Sequence, residues 1–162
     1  TILEIREWVN GDQATGRLTS IPNGLVLSSV VNNYTKDHHF LWDEISIPVT
    51  YQSEWKKAMQ IMKDIASRET ADWAAGARKS LVGLEDKYYL PARPTEPIVF
   101  VKLTDNWIML HLRYVVEVRE RRSYHSRLSE LILREIEKTP TITIASSTVS
   151  IVHWPEIKRS ES

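Results

Sequence analysis

His38 and His39, with Asp37 before them and Asp43 and Glu44 after, form the densest group of potential metal ligands in this chain. Adjacent histidines on an extended chain point to opposite sides, and neither HExxH nor a comparable ligand spacing is present. The group therefore reads as a solvated loop. His111 falls on the polar face of its strand, while His125 and His153 stand alone, and each reads as structural. With no cysteine, the chain has no thiol nucleophile, cysteine-based zinc site or disulfide. It also lacks a GxSxG elbow, a phosphate-binding loop and a Rossmann fingerprint. The acid pairs Asp43-Glu44 and Glu85-Asp86 are sequence neighbours, which sets their carboxylates on different faces rather than across a substrate. Six tryptophans (Trp8, Trp42, Trp55, Trp73, Trp107 and Trp154) are scattered over different elements. They read as core or interface residues, Trp55 on a core-facing stripe. No catalytic, cofactor-binding or metal residue is assigned, no cofactor is expected, and the chain reads as a non-enzyme.

The elements follow from periodicity. Residues 2–9 read as a strand, 10–16 as a polar loop and 17–21 as the return strand of a hairpin. Pro22-Asn23-Gly24 signals a turn, because proline pre-sets φ while Asn and Gly tolerate left-handed conformations. Leu25–Val31 opens as a short helical turn, and a polar stretch follows over 32–39. Ile45, Ile47, Val49 and Tyr51 alternate with polar residues, the period of a half-buried strand. Pro48 lacks an N–H and places that strand at an edge or a bulge. Trp55, Ala58, Met59, Met62, Ile65 and Ala66 recur at helical spacing, with Ser53 as the expected N-cap. Helix resumes over 71–81, and Gly83–Pro97 with its three prolines reads as a loop. Strands are expected at 98–103 and 107–118, joined at Thr104-Asp105-Asn106. The last helix carries Tyr124, Leu128, Leu131, Ile132 and Ile136 and ends before Pro140. A final strand is expected within 141–154, at Thr148–Val152. After Glu44 the order is β-α-β-β-α-β, that of a ferredoxin-like domain.

Twenty-one basic residues balance twenty-one acidic ones over 162 residues, one domain or two small ones. That balance argues against nucleic acid as a partner. The run Arg119-Glu120-Arg121-Arg122 reads as a solvated helix end. No apolar run approaches the ~18 residues needed to cross a bilayer. Since the first residue is Thr1, the chain is expected to be a soluble portion starting partway through a longer protein.

Gly16-Arg17-Leu18-Thr19-Ser20-Ile21-Pro22-Asn23-Gly24, running on to Asn33-Tyr34-Thr35, resembles the β-domain signature of the small-conductance mechanosensitive channel family. Ile45–Tyr51 followed by the Trp55 helix is similar to the opening of that family's α/β domain. The resemblance implies an α+β chain in two parts. Residues 1–43 would be a partial, Sm-like β-domain and residues 44–162 a ferredoxin-like α/β domain. It also implies membrane helices upstream, the last lining a pore, and self-association as a ring, a homoheptamer by family habit. The chain would then be a cytoplasmic vestibule serving assembly and solute filtering. Thr141–Val152 lacks the proline-rich wording common before the family's final strand, so a closing barrel does not follow. Two rivals are a free-standing ferredoxin-like module that binds a ligand or protein, and an unrecognised hydrolase.

Overall fold

A computed structural model of the chain describes residues 2–5, 14–28, 39–88 and 94–146. Near the N-terminus, β1 (Ile2–Ile5) pairs antiparallel with β2 (Ala14–Thr19), Ile2 opposite Thr19 and Leu3 opposite Leu18. The register shifts before Ile5 meets Ala14. The return strand thus lies three residues earlier than its expected start at Arg17. Asn23 and Gly24 do not form a left-handed turn. They open a short helix, α1 (Asn23–Ser28), whose first turn is tied by the Leu25 amide donating to the Pro22 carbonyl at 3.1 Å. The expected elements over 6–9 and 29–38, and the final strand at 148–152, lie outside the described residues.

The principal sheet has three antiparallel strands in the order β3-β5-β4, so β5 is central. β3 spans Phe40–Val49, β4 Ile98–Leu103 and β5 Ile108–Glu117. Mixed helix and strand content was expected and is found. β3 starts earlier than the alternation from Ile45 suggested and stops before Tyr51. Its early residues Phe40, Leu41 and Trp42 are extended because they pair with Glu117, Val116 and Val115. Its end is a turn closed by the Ser53 amide on the Thr50 carbonyl at 3.1 Å. Tyr51 sits in that turn and donates its hydroxyl to the Thr104 carbonyl.

Pro48 lies on the side the missing N–H demands. Its carbonyl accepts from the Ala145 amide at 2.9 Å, and the Thr50 amide donates to the Thr143 carbonyl at 3.0 Å. Within a strand residue the N–H and C=O point the same way. The Pro48 nitrogen therefore faces the flank away from β5, and the β3–β5 ladder loses nothing. The 143–145 segment bridges antiparallel at Val49 and Ile144.

Helices α2 (Trp55–Glu69) and α4 (Arg121–Glu137) cover one face of this sheet. Their apolar stripes, Ala58, Met62, Ile65 and Ala66 on α2 with Leu128, Ile132 and Ile136 on α4, meet Ile45, Val49, Leu110, Leu112, Tyr114 and Val116 in one core. The 3₁₀ turn Val118–Glu120 leads into α4, and the Glu117 carboxylate caps it by accepting from the Arg119 and Glu120 amides. Helix α3 (Ala71–Tyr88) runs seven residues past its expected end at Leu81, through Gly83. A single helical glycine costs only about 1 kcal/mol relative to alanine, too little to stop a long helix. Gly76 on α3 has a packing reason: a Cβ there would lie 3.1 Å from the Phe40 ring.

Ser53 is not the N-cap of α2. Glu54 holds that place, without a side-chain capping bond. Ser53 is buried, and its hydroxyl meets the Thr143 amide (2.9 Å), the Thr143 carbonyl (3.2 Å) and the Thr50 hydroxyl (2.8 Å). It fastens the 141–145 segment to the end of β3. Ser53→Ala is expected to cost about 1–3 kcal/mol, the desolvation of the orphaned Thr143 amide and its neighbours. The urea midpoint and hydrogen exchange at the Thr143 amide would read this, and an unchanged exchange rate would remove Ser53 from the role.

Candidate functional site

The alternation of β3 separates the two acids that adjoin in sequence. Asp43 is in phase with Ile45, Ile47 and Val49 and enters the core, whereas Glu44 is exposed on the opposite face. Neither pairs with His39. His38 and Asp37 lie outside the described residues, and His39 is exposed, its carbonyl accepting from the Val118 amide at 2.9 Å. Among the described residues, no three histidine or acidic side chains are grouped to hold a metal ion.

The Asp43 carboxylate is 4% exposed and engages three partners from two other elements. Oδ1 accepts from Arg121 Nε at 2.9 Å; Oδ2 accepts from the Tyr114 hydroxyl at 2.9 Å and contacts His125 Nδ1 at 3.1 Å. Burial alone would raise the Asp43 pKa. Hydrogen bonds from Arg121, His125 and Tyr114, with the Arg121 charge, outweigh burial and hold the carboxyl below its usual 3.8. Burial, the Asp43 charge and the shared hydrogen bond push the Tyr114 phenol well above its ordinary value. An acid with both oxygens engaged is a poor general base, and a phenol kept neutral is no nucleophile. The cluster is suited to tying β3, β5 and the start of α4 together. Arg121, expected to be solvated, is half-buried at this tie.

The opposite sheet face holds a second polar group. His111 Nδ1 lies 3.0 Å from Glu44 Oε1 and 2.8 Å from Ser46 Oγ. Serine, histidine and an acid invite comparison with a hydrolytic relay. In a relay the acid and the nucleophile use different ring nitrogens, whereas here both converge on one. Ser46 and Glu44 are also exposed on an open sheet. No hydrolytic arrangement exists at this group.

The tryptophans divide by element. Trp73 on α3 packs edge-on against Tyr124 of α4 (centroids 5.9 Å, planes at 78°) and against Phe40 of β3 at 6.3 Å. Trp42 donates to the Pro94 carbonyl at 3.3 Å and carries Arg113 over its ring. Trp8 and Trp154 lie among residues whose side chains or placement are not described. Trp55 is half-buried against the core and also lines a groove between α2 and β4, of about 350 Å³. Lys56, Met59, Lys63, Ile98 and Val99 complete its walls. No signal in the sequence joined these walls, because they come from separate elements.

No helix among the described residues is long and apolar enough to cross a membrane. No protein-family model matches the chain, and no curated protein matches it. Among solved structures, a crystal structure of Helicobacter pylori MscS in its closed state is similar, at 18% identity and a TM-score of 0.58. The likeness covers 87% of this chain and 48% of that one, so the chain spans about half the length of the structure it matches. The backbone thus agrees with the wording of Gly16–Gly24, and the chain has the fold of an MscS-like small-conductance mechanosensitive channel domain.

Proposed function

We propose that this chain is the cytoplasmic vestibule part of a tension-gated membrane ion channel and serves subunit assembly and solute filtering rather than catalysis. The fold likeness to MscS over 87% of the chain carries this reading, and the Gly16–Gly24 signature supports it independently. In this reading residues 1–43 belong to a partial Sm-like β-domain, represented by the β1–β2 hairpin. Residues 44–162 form a ferredoxin-like domain, with β3 crossing the boundary. The order β3-β5-β4, with the 143–145 segment on the free side of β3, supports the second assignment. Membrane helices upstream of Thr1 would carry the pore. Tension favours whichever state occupies more bilayer area, so a two-state equilibrium shifts without any ligand.

Suction on a membrane patch holding the full-length parent is expected to open a stepwise conductance. Silence with the protein demonstrably inserted would overturn the channel reading. Native mass measurement of that parent is expected to give a cyclic oligomer, a heptamer on the family's pattern. A monomer would favour a ferredoxin-like ligand- or protein-binding module instead.

A further inference from the structure

We propose that neighbouring copies of this chain meet head to tail, the outer face of α4 on one copy seating in the α2–β4 groove of the next. The proposal rests on the ring reading above and assigns it a surface. The two surfaces lie on opposite flanks of the sheet. α2 packs over β4 and β5, while α4 packs over β3 and β5. Arg127 reaches Glu69 of α2 at 2.7 Å, which marks the side of α4 that faces α2. Leu133, six residues on, is turned from Arg127 by roughly 120° at 3.6 residues per turn and faces away.

The outer face of α4 carries Glu130, Leu133 and Glu137, one residue per turn. Leu133 is 45% exposed, the only large apolar side chain of α4 in that condition. The groove wall on α2 repeats the pattern with opposite charge, as Lys56, Met59 and Lys63. Both charged pairs are seven residues apart, ~10 Å along a helix axis. An apolar residue stands between the charges on each side. Leu133 can enter between Trp55 and Met59 with the two helices parallel, so that Glu130 meets Lys56 and Glu137 meets Lys63. Lys63 and Glu137 have no oppositely charged partner among the described residues, so they are the pair left for a neighbour. Glu130 is shared with Arg134 at 3.8 Å, and Lys56 lies over the Trp55 ring. Exposed Val101 and Leu103 extend the groove flank, and exposed Ile144 lies on the sheet's opposite edge, beside β3.

Two different surfaces of one chain make a heterologous contact, which closes into a ring when the rotation between copies permits. An anionic amphipathic ligand would suit the groove but would leave the α4 ridge unexplained. A second copy accounts for both.

The absence of cysteine gives a clean background for the test. Gln60→Cys places a thiol on the groove wall and Leu133→Cys one on the ridge, both at exposed positions. In the full chain, a short bis-maleimide should link the double variant into a ladder beyond the dimer and leave each single variant unlinked. Lys63→Glu should weaken association by about tenfold, and Glu137→Lys added to it should restore association. Efficient linking of either single variant would mean a two-fold contact and overturn the head-to-tail geometry. A ring by native mass with no ladder and no response to charge reversal would overturn this surface and leave the ring standing. A wild-type monomer would overturn both.

Discussion

Asp43→Ala is expected to lower stability by about 2–3 kcal/mol, because it leaves the buried Tyr114 hydroxyl without its acceptor and removes the charge partner of a part-exposed Arg121. In a chain of this size that corresponds to a fall in Tm of about 5–10 °C. The Asp43 side chain is 4% exposed, and three donors converge on it. Without it, the fully buried Tyr114 hydroxyl loses its acceptor and the half-buried Arg121 guanidinium loses one of its partners. Glu44→Ala, one residue on and exposed, is the control and should stay within ~0.5 kcal/mol. Urea denaturation distinguishes the two, and an Asp43→Ala loss below ~1 kcal/mol would show that the cluster does not hold α4 to the sheet. Acid dependence gives a second reading. The folded carboxyl is held below its ordinary 3.8, so its contribution is complete above that value and is lost as pH falls through the lower folded value. The wild type should lose stability on acidification below about pH 4, and Asp43→Ala should lose less over the same window.

The position of Asp43 also shows where sequence reading stops. The apolar periods of β5, α2 and α4 were legible because each is a local pattern enforced by one buried face. Ile108, Leu110, Leu112, Tyr114 and Val116 alternate and are all buried. Asp43 obeys the same rule, being in phase with Ile45, Ile47 and Val49. The clear apolar alternation begins only at Ile45, so from sequence Asp43 reads as a loop residue ahead of the strand. An acid at a core-facing strand position requires donors, and that requirement was the available signal. The identity of the donors was not available. They lie 71, 78 and 82 residues away, on elements whose contact is a product of the fold. Arg121 shows the same limit from the other side. A basic residue in a charged run at a helix start looks solvated until β3 is placed beneath it. Ser53 had the composition of an N-cap, and only the return of the 143–145 segment diverted its hydroxyl. The α2–β4 groove has no sequence signature either, since Met59 and Ile98 belong to helix and strand patterns that are separately complete.

Ile132→Ala and Leu133→Ala, adjacent on α4, are expected to have opposite consequences. Ile132 has no exposed surface and stands in the core with Leu128 and Ile136. Truncating it removes three carbons' worth of burial, at ~0.8 kcal/mol per buried methylene, and leaves a cavity the sheet cannot fill. The expected loss is about 3–4 kcal/mol, seen as a lower urea midpoint with an unchanged slope. Leu133, 45% exposed, supports no packing of this kind. Leu133→Ala should leave the unfolding midpoint of the dissociated chain within ~0.5 kcal/mol of wild type, because alanine's higher helix propensity offsets the little burial lost. If α4 seats in a neighbouring groove, the same variant should raise the concentration needed for half-assembly by about tenfold, the size of a burial loss realised only in the assembly. The two residues then separate folding from association on one helix. Equal effects of both variants on the urea midpoint would mean that Leu133 is a core residue, and the docking face would have to be sought elsewhere. An Ile132→Ala loss under ~1 kcal/mol would mean that α4 is held chiefly by Asp43 and its partners rather than by its apolar stripe.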